Sequence, residues 1–455
     1  MSIIIPRAAC RKILDFLDNP DVREVLVVEG ARQVGKTTAI EQALIGRSAL
    51  RVNLEGDTRF RERIDASESF EDFEFYLRDR FKFNSADKEQ ILFLDEAQES
   101  DKLGAYVRFM KERWGGAKVI LSGSSMSRLF RDKQRIPVGR YRTLLISPLS
   151  FKEFVLASGR DRALEIIESF ERDLNPDGIT AAMHNDLLAL FDQYLKVGGL
   201  PAVVTAYFKG QSYRDLRGDI IRSQEEDFIR KSSIGERDLF KSGLRGVSNY
   251  LGFPSKNTHV HEKQHIAEKV LSVERAWRLI HEIEQKGINA SSKFYPKRYL
   301  YDIGVAQEIR EMPFPEIGLV ISDSPILRTQ LGGLFENAVL LQMISHQNAE
   351  ANISGWKKNS NEGVEVDFIW RLDGTLFPIE CKASLKVSSR SFASLRQYTK
   401  LTGTSVAILV SAAPYSAHKE GAVTFINLPI YLFSGGVVEG VYRSQGHIAL
   451  TERGD

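Results

Sequence analysis

Cysteine is nearly absent. Cys10 and Cys381 are the only two in 455 residues, and they lie far apart. They make no metal-type spacing, and two distant thiols predict a reducing compartment rather than a disulfide. Long hydrophobic runs are lacking as well. Apolar stretches such as "SVAILVSAA" are strand-length, short of the roughly 20 residues that span a membrane, so no membrane role is expected. The opening "MSIIIPRAACRK" breaks its short apolar run at Pro6 and Arg7. It does not read as a signal peptide, and a cytoplasmic location is expected. Charge of one sign is missing too: 62 Lys and Arg stand against 60 Asp and Glu, for a net charge of +2. The molecule as a whole therefore has no field that gathers nucleic acid, and any basic binding surface must be local.

Apolar and charged residues are present in the proportions of a folded soluble protein, 43% and 27%, and the length implies two to four domains. Val25–Gly30, "VLVVEG", reads as a buried strand. It runs into "GARQVGKTT" and then a helical pattern. This is G-x-x-x-x-G-K-[ST] in the strand–loop–helix context that the chemistry requires. Gly30 and Gly35 let backbone N–H groups curl around phosphate oxygens at a helix N-terminus. Lys36 neutralises phosphate charge, the Thr37 hydroxyl ligates Mg²⁺, and Thr38 completes the nucleotide-binding turn. "ILFLDEAQ" supplies a second buried strand, ending in Asp95 to hold Mg²⁺ and Glu96 to activate the attacking water. "AKVILSGSSMS" supplies a third, whose Ser122, Ser124 and Ser125 are candidates to sense the γ-phosphate. With strands near Leu50 and Tyr141, the reading is a doubly wound parallel sheet. One strand lies between the phosphate loop and "ILFLDE", as in P-loop enzymes with a catalytic glutamate. In the basic run "SRLFRDKQRIPVGRYR", Arg140, or Arg142 behind it, is assigned to the transferring phosphoryl group, in cis or toward a neighbouring subunit.

Beyond residue 150 the pattern turns helical, interrupted at "VGGLPAVV" by a tight turn. These helices are expected to form a lid or packing subdomain. Residues 251–310 predict a winged helix: helix "IAEKVL", a longer helix "SVERAWRLIHEIEQKGIN", and a wing at "YPKRYLYD". Arg275, Arg278 and Lys286 would contact phosphates. His259, His261 and His265 are grouped here without a carboxylate or cysteine partner, and they read as solvated.

The last segment reads helix, strands, helix, strand. Glu336 lies in the helix, and "GVEVDFIWR" and "TLFPIECKA" form a hairpin over "LDG". Alternation puts Glu365 and Asp367 on one face and Val366 and Phe368 on the other, and pairs Glu380 with Lys382. Two carboxylates and a lysine so placed suit Mg²⁺ or Mn²⁺ and phosphodiester cleavage. An Asp367–Lys382 salt bridge would leave the same pattern.

The motifs "GARQVGKTT", "LDEAQ", "LSGSS", "VGRYRTLLISPLSFKEF", "YLKVGGLPAVV", "KRYLYDIGVA", "LFENAV" and "EVDFI…PIECKAS" together resemble bacterial and archaeal P-loop ATPases of AAA type with a C-terminal domain of uncharacterised function. The resemblance covers nearly the whole chain. It implies an ATP-binding core, a winged-helix segment and a C-terminal fold similar to the PD-(D/E)XK nucleases. Gly35, Lys36 and Thr37 would bind nucleotide, and Asp95 and Glu96 would serve Mg²⁺ and hydrolysis. Arg140 would hold the glycine-arginine position, and Asp367, Glu380 and Lys382 the nuclease pattern. The expected organisation is an ATPase domain over 1–150, a helical lid over 151–250, the winged helix over 251–310 and the nuclease-like domain over 311–455. The expected function is ATP hydrolysis coupled to DNA binding or processing. The alternative is an ATP-dependent switch acting on a protein partner, with the nuclease-like domain inactive.

Overall fold

The computed structural model describes residues 5–124, 126–130, 139–231, 237–287, 294–310, 325–346, 352–359, 363–444 and 450. The chain divides into two compact units, one of residues 2–147 with 276–278, the other of 148–275 with 279–455.

In the first unit, Val25–Glu29 (β1), Ser48–Asn53 (β2), Gln90–Asp95 (β3), Lys118–Gly123 (β4) and Tyr141–Leu145 (β5) form a sheet in the order β2-β3-β4-β1-β5. Every pairing is parallel. The α/β parallel sheet is as the sequence predicts. The strand that physically separates β1 from β3, however, is β4, while β2 takes the edge. Burial explains the order: β4 is buried at all six positions, whereas β2 is exposed at three of six. A strand apolar on both faces needs neighbours and cover that an edge does not provide. Val27, Leu94 and Leu121 share one core with Phe70, Phe73, Tyr106 and Trp114. Each such side chain stabilises the fold by about 1.5–3 kcal/mol on burial.

In the second unit, the helix Ala181–Val197 ends at Gly198, and Pro201 opens the next helix at its first turn, so "VGGLPAVV" is the expected turn. The winged-helix segment differs from expectation. The helix Gln264–Ala276 absorbs both "IAEKVL" and the start of the longer predicted helix. Arg278 then turns left-handed at φ 58°, and Ile280–Ile283 (β6) is extended. The short Gln285–Lys286 (β7) follows. Ile280–Ile283 pairs antiparallel with Lys297–Leu300 (β8), and this ladder satisfies backbone groups that a helix would have satisfied internally. Residues 288–293, where the sequence puts the end of the long helix, lie outside the described residues.

The remaining strands are Ile353–Lys357 (β9), Glu365–Leu372 (β10), Thr375–Lys382 (β11), Val406–Ser411 (β12), Ser416–Glu420 (β13) and Val423–Pro429 (β14). With β7 they form a sheet in the order β13-β14-β12-β11-β10-β9-β7. The β10–β11 hairpin turns at Asp373 and Gly374, with φ of 44° and 86°. Left-handed geometry at both positions is what a two-residue turn needs to match strand twist. The helix Pro325–His346 precedes these strands, and Ala393–Thr402 connects β11 to β12.

Strict alternation fails on β10. The register to β9 shifts between Val366 and Ile369, so Val366 and Ile369 both enter the core of Phe392, Leu395 and Tyr398. Phe368 instead meets the ring of Tyr299 at 5.7 Å, while Asp367 beside it bonds Lys297. The extra residue of this bulge turns Asp367 and Phe368 toward β8 together.

Candidate functional site

The phosphate loop joins β1 to the helix Lys36–Ala43. Gly35, at φ 91°, caps that helix in the left-handed region. Gly30 is needed for space, because a Cβ there would lie 2.2 Å from the Ile146 carbonyl oxygen. Lys36 is buried, and its Nζ donates to the carbonyls of Gly30 at 3.0 Å and Ala31 at 2.9 Å. Burial pushes its pKa down, against the raising effect of Glu96 and Asp95. Thr37 and Thr38 are exposed at the helix start, where first-turn N–H groups lack helical partners.

Asp95 gathers the rest of the site. Its Oδ2 accepts from Thr37 Oγ1 at 2.9 Å and from Asn53 Nδ2 at 3.4 Å, and its Oδ1 accepts from the Ser122 hydroxyl and from the Glu96 N–H. Of the three candidate hydroxyls, Ser122 is the one on this carboxylate; Ser125 lies outside the described residues. Glu96 is left-handed at φ 51°, and Gln98 Nε2 donates to its Oε2 at 2.6 Å. Sequence reasoning missed Asn53 and Gln98. Gln98 was legible as a polar residue two positions after the Asp-Glu pair, while Asn53 arrives through β2–β3 pairing.

These residues fit Mg²⁺. Thr37 and Asp95 are oxygen donors in contact, and their hydrogen-bond partners there are neutral hydroxyl, amide and backbone groups; the Lys36 ammonium interacts with the Asp95 charge but donates to the Gly30 and Ala31 carbonyls. Thr37 would ligate the ion directly and Asp95 would hold its water shell.

Arg140 is not brought to this site. Its carbonyl accepts from Val25 N–H at the opening end of β1, and its guanidinium pairs with Glu112 at 3.1 Å. Glu29, next to the phosphate loop, aligns instead with Leu145, the far end of β5. The in-cis assignment is thereby corrected: parallel pairing places Arg140 a strand length from the phosphate loop. Arg142 pairs with Glu24 at that same end, at 3.6 Å.

Residues 22–155 match the family model described as AAA domain. This segment is similar to AAA domains, and it carries the phosphate loop at the end of β1. Residues 331–431 match a second family model, a domain of unknown function (DUF4143). No curated protein matches the chain. Among solved structures, it is similar to the Walker-type ATPase PABY2304 of Pyrococcus abyssi, at 16% identity and a TM-score of 0.45, over 66% of this chain and 94% of that one. The ORC2 protein of Aeropyrum pernix, described as ADPNP–ADP complexes, is 13% identical with a TM-score of 0.32, over 67% and 90%. CDC6P from Pyrobaculum aerophilum is 13% identical with a TM-score of 0.24, over 66% and 93%.

In the C-terminal domain the expected acidic residues do meet, around a residue that sequence reasoning missed. Lys297 Nζ lies 2.9 Å from Asp367 Oδ1, 3.0 Å from Glu336 Oε1 and 3.5 Å from Glu365 Oε1, with its side chain 1% exposed. The Tyr299 hydroxyl also donates to Glu336 Oε1, and the Cys381 N–H to Asp367 Oδ2 at 2.8 Å. Burial alone would lower the Lys297 pKa, but Asp367, Glu336, Tyr299 and Glu365 outweigh it and hold the ammonium charged. Glu336 is pushed up to about 8, by burial first and then by Asp367. Glu380 and Lys382 approach to 3.9 Å, and Lys382 Nζ donates to the Ser391 carbonyl. A divalent metal does not fit here, because a buried ammonium already sits among its ligands. Among the described residues, no group of three or more His, Cys, Asp or Glu side chains is arranged to hold a metal ion. Lys297 was detectable in principle. It follows Pro296 in a strand, Lys297–Leu300, whose four residues are all buried, and a buried cation requires an anion.

The basic residues assigned to DNA phosphates are partly engaged. Arg275 bonds Glu282 at 2.6 Å, Arg278 bonds Glu29 at 2.7 Å, and Lys286 is exposed.

Proposed function

We propose that this protein is a Mg²⁺-dependent ATP hydrolase that works as a nucleotide-dependent switch. The arrangement of Asp95 carries the reading: one carboxylate joins the phosphate-loop hydroxyl, the Ser122 hydroxyl and the backbone of Glu96. ATP would bind across the glycine loop, with Lys36 moving from the Gly30 and Ala31 carbonyls to phosphate oxygens. Glu96, steadied by Gln98, takes a proton from the water that attacks the γ-phosphorus. Mg²⁺, when bound, neutralises charge on the phosphates. Ser122 keeps Asp95 oriented, and Arg140 is left with a role toward a neighbouring subunit.

Phosphate release by the wild-type chain should stop with Lys36→Ala. Glu96→Gln should lower kcat by about 10²–10⁴-fold with ATP still bound. Equal hydrolysis by wild type and Glu96→Gln would sink the assignment.

The output of the switch is read as a protein partner, because Arg275 and Arg278 are held by carboxylates and Lys297 fills the acidic cluster. A second reading, ATP-coupled nucleic-acid cleavage with Mg²⁺ or Mn²⁺ at Asp367 and Glu380, has one observation in its favour. The helix–three strands–helix–strand order draws Glu336, Asp367, Glu380 and Lys382 into one region, as in PD-(D/E)XK nucleases. DNA cutting that Asp367→Ala abolishes would establish it.

A further inference from the structure

We infer that the acidic cluster of the C-terminal domain is a cation site whose resident cation is the Lys297 ammonium, so that the domain takes no divalent metal. The inference rests on reading this domain as a nuclease-like frame that does not cut.

The geometry is that of a filled site. Carboxylates come from two separate elements, Glu336 from the helix Pro325–His346 and Glu365 and Asp367 from β10, and all three face one Nζ within 3.5 Å. Two of the ammonium's N–H donors go to Glu336 and Asp367, and Glu365 adds an ion pair at 3.5 Å. Both oxygens of Asp367 are used, one by Lys297 and the other by the Cys381 N–H. Glu336 Oε1 has a second donor in Tyr299.

The lysine is also held in place from behind. All four residues of β8 are buried. The next residue, Arg298, bonds Glu282 at 2.7 Å, Asn257 at 2.8 Å and the Ser255 carbonyl at 2.9 Å. Lys297 itself is buried and bonded to Glu336 and Asp367, so a divalent ion would have to enter against a positive charge already held there. The β10 bulge belongs to the same device, since it turns Asp367 toward β8. The carboxylates that would grip a metal instead hold β8 in place.

The test counts bound Mn²⁺ on the full chain by electron paramagnetic resonance, with Mn²⁺ alone as the probe. An Asp95→Asn background removes the carboxylate that would hold an ion's water shell beside the phosphate loop. That chain should bind no Mn²⁺. Adding Lys297→Met should create one Mn²⁺ site per chain, which a further Asp367→Asn removes. Lys297→Arg, which keeps the cation, should create none. Tight Mn²⁺ on the Asp95→Asn chain that Asp367→Asn abolishes would overturn the inference. So would a folded Lys297→Met chain that takes no Mn²⁺. Should Lys297→Met fail to fold, the count on the Asp95→Asn chain still decides, since one tightly bound ion there refutes a resident ammonium and none supports it. ATP hydrolysis by chains with Asp95 intact is read separately. Its loss would sink the ATPase reading and leave the metal count standing.

Discussion

Asp95 and Asp367 make an instructive pair. Each lies on a strand, each has a buried lysine nearby, and each accepts hydrogen bonds at both oxygens. They differ in where the lysine points. Lys36 donates to backbone carbonyls, leaving Asp95 to hydroxyls, an amide and a backbone N–H. Lys297 donates into the carboxylates themselves. An acidic cluster bonded by neutral donors keeps its charge available for an incoming cation, whereas one bonded by an ammonium has spent it. On the proposed reading, the partner of the lysine, rather than the number of acids, separates a site that would take metal from one whose charge an ammonium already meets.

The largest effect that would break this comparison comes from Lys297. Removing one member of a buried ion cluster leaves uncompensated charge, so Lys297→Met should cost about 3–5 kcal/mol by urea denaturation. A loss below about 1 kcal/mol would mean that the ammonium does not hold the carboxylates. Next comes pH. Glu336 is ordinary near 4.5 when unfolded and is held at about 8 when folded. The stability its proton supplies is full below the lower value and is lost as pH rises through the upper one. The denaturation midpoint of wild type should therefore fall across that window, and Glu336→Gln should flatten the slope. Glu420 has the opposite sign. The Arg396 hydrogen bond holds it down to about 2, so its contribution is lost as pH falls from 4.5.

A smaller effect sharpens the ATPase side. Gln98→Ala removes the donor that steadies Glu96, a charge-assisted bond worth roughly 1.5 kcal/mol. ATP turnover should drop about tenfold while nucleotide affinity holds. The smallest concerns Arg140, whose pair with Glu112 is partly exposed. Arg140→Ala should change stability by less than about 1 kcal/mol. Unchanged turnover at every protein concentration would remove Arg140 from the catalytic scheme. A loss seen only where chains associate would assign it to a neighbouring subunit.

Legibility followed the range of the interaction. Gly30, Gly35, Lys36 and Thr37 were readable because a phosphate loop is one contiguous turn. Asp95 and Glu96 were readable as the end of an apolar strand, and the Asp373–Gly374 turn as a dipeptide suited to left-handed geometry. The long helix after Ser272 was misread because Val273, Ala276, Trp277 and Ile280 recur at helical spacing. Pairing with Lys297–Leu300 overrode that local preference. The position of β4 between β1 and β3 was likewise a matter of which strand could be covered on both faces.

The sequence by itself determined the phosphate loop, the alternation of strands and helices that carries it, and the acids of the last domain, because each is written in neighbouring residues. Only the tertiary structure decided what those acids face. Lys297 lies 39 residues from Glu336 and 70 from Asp367 along the chain. It reaches them because β8 is buried, β10 is bulged, and an ammonium out of water must settle where carboxylates are.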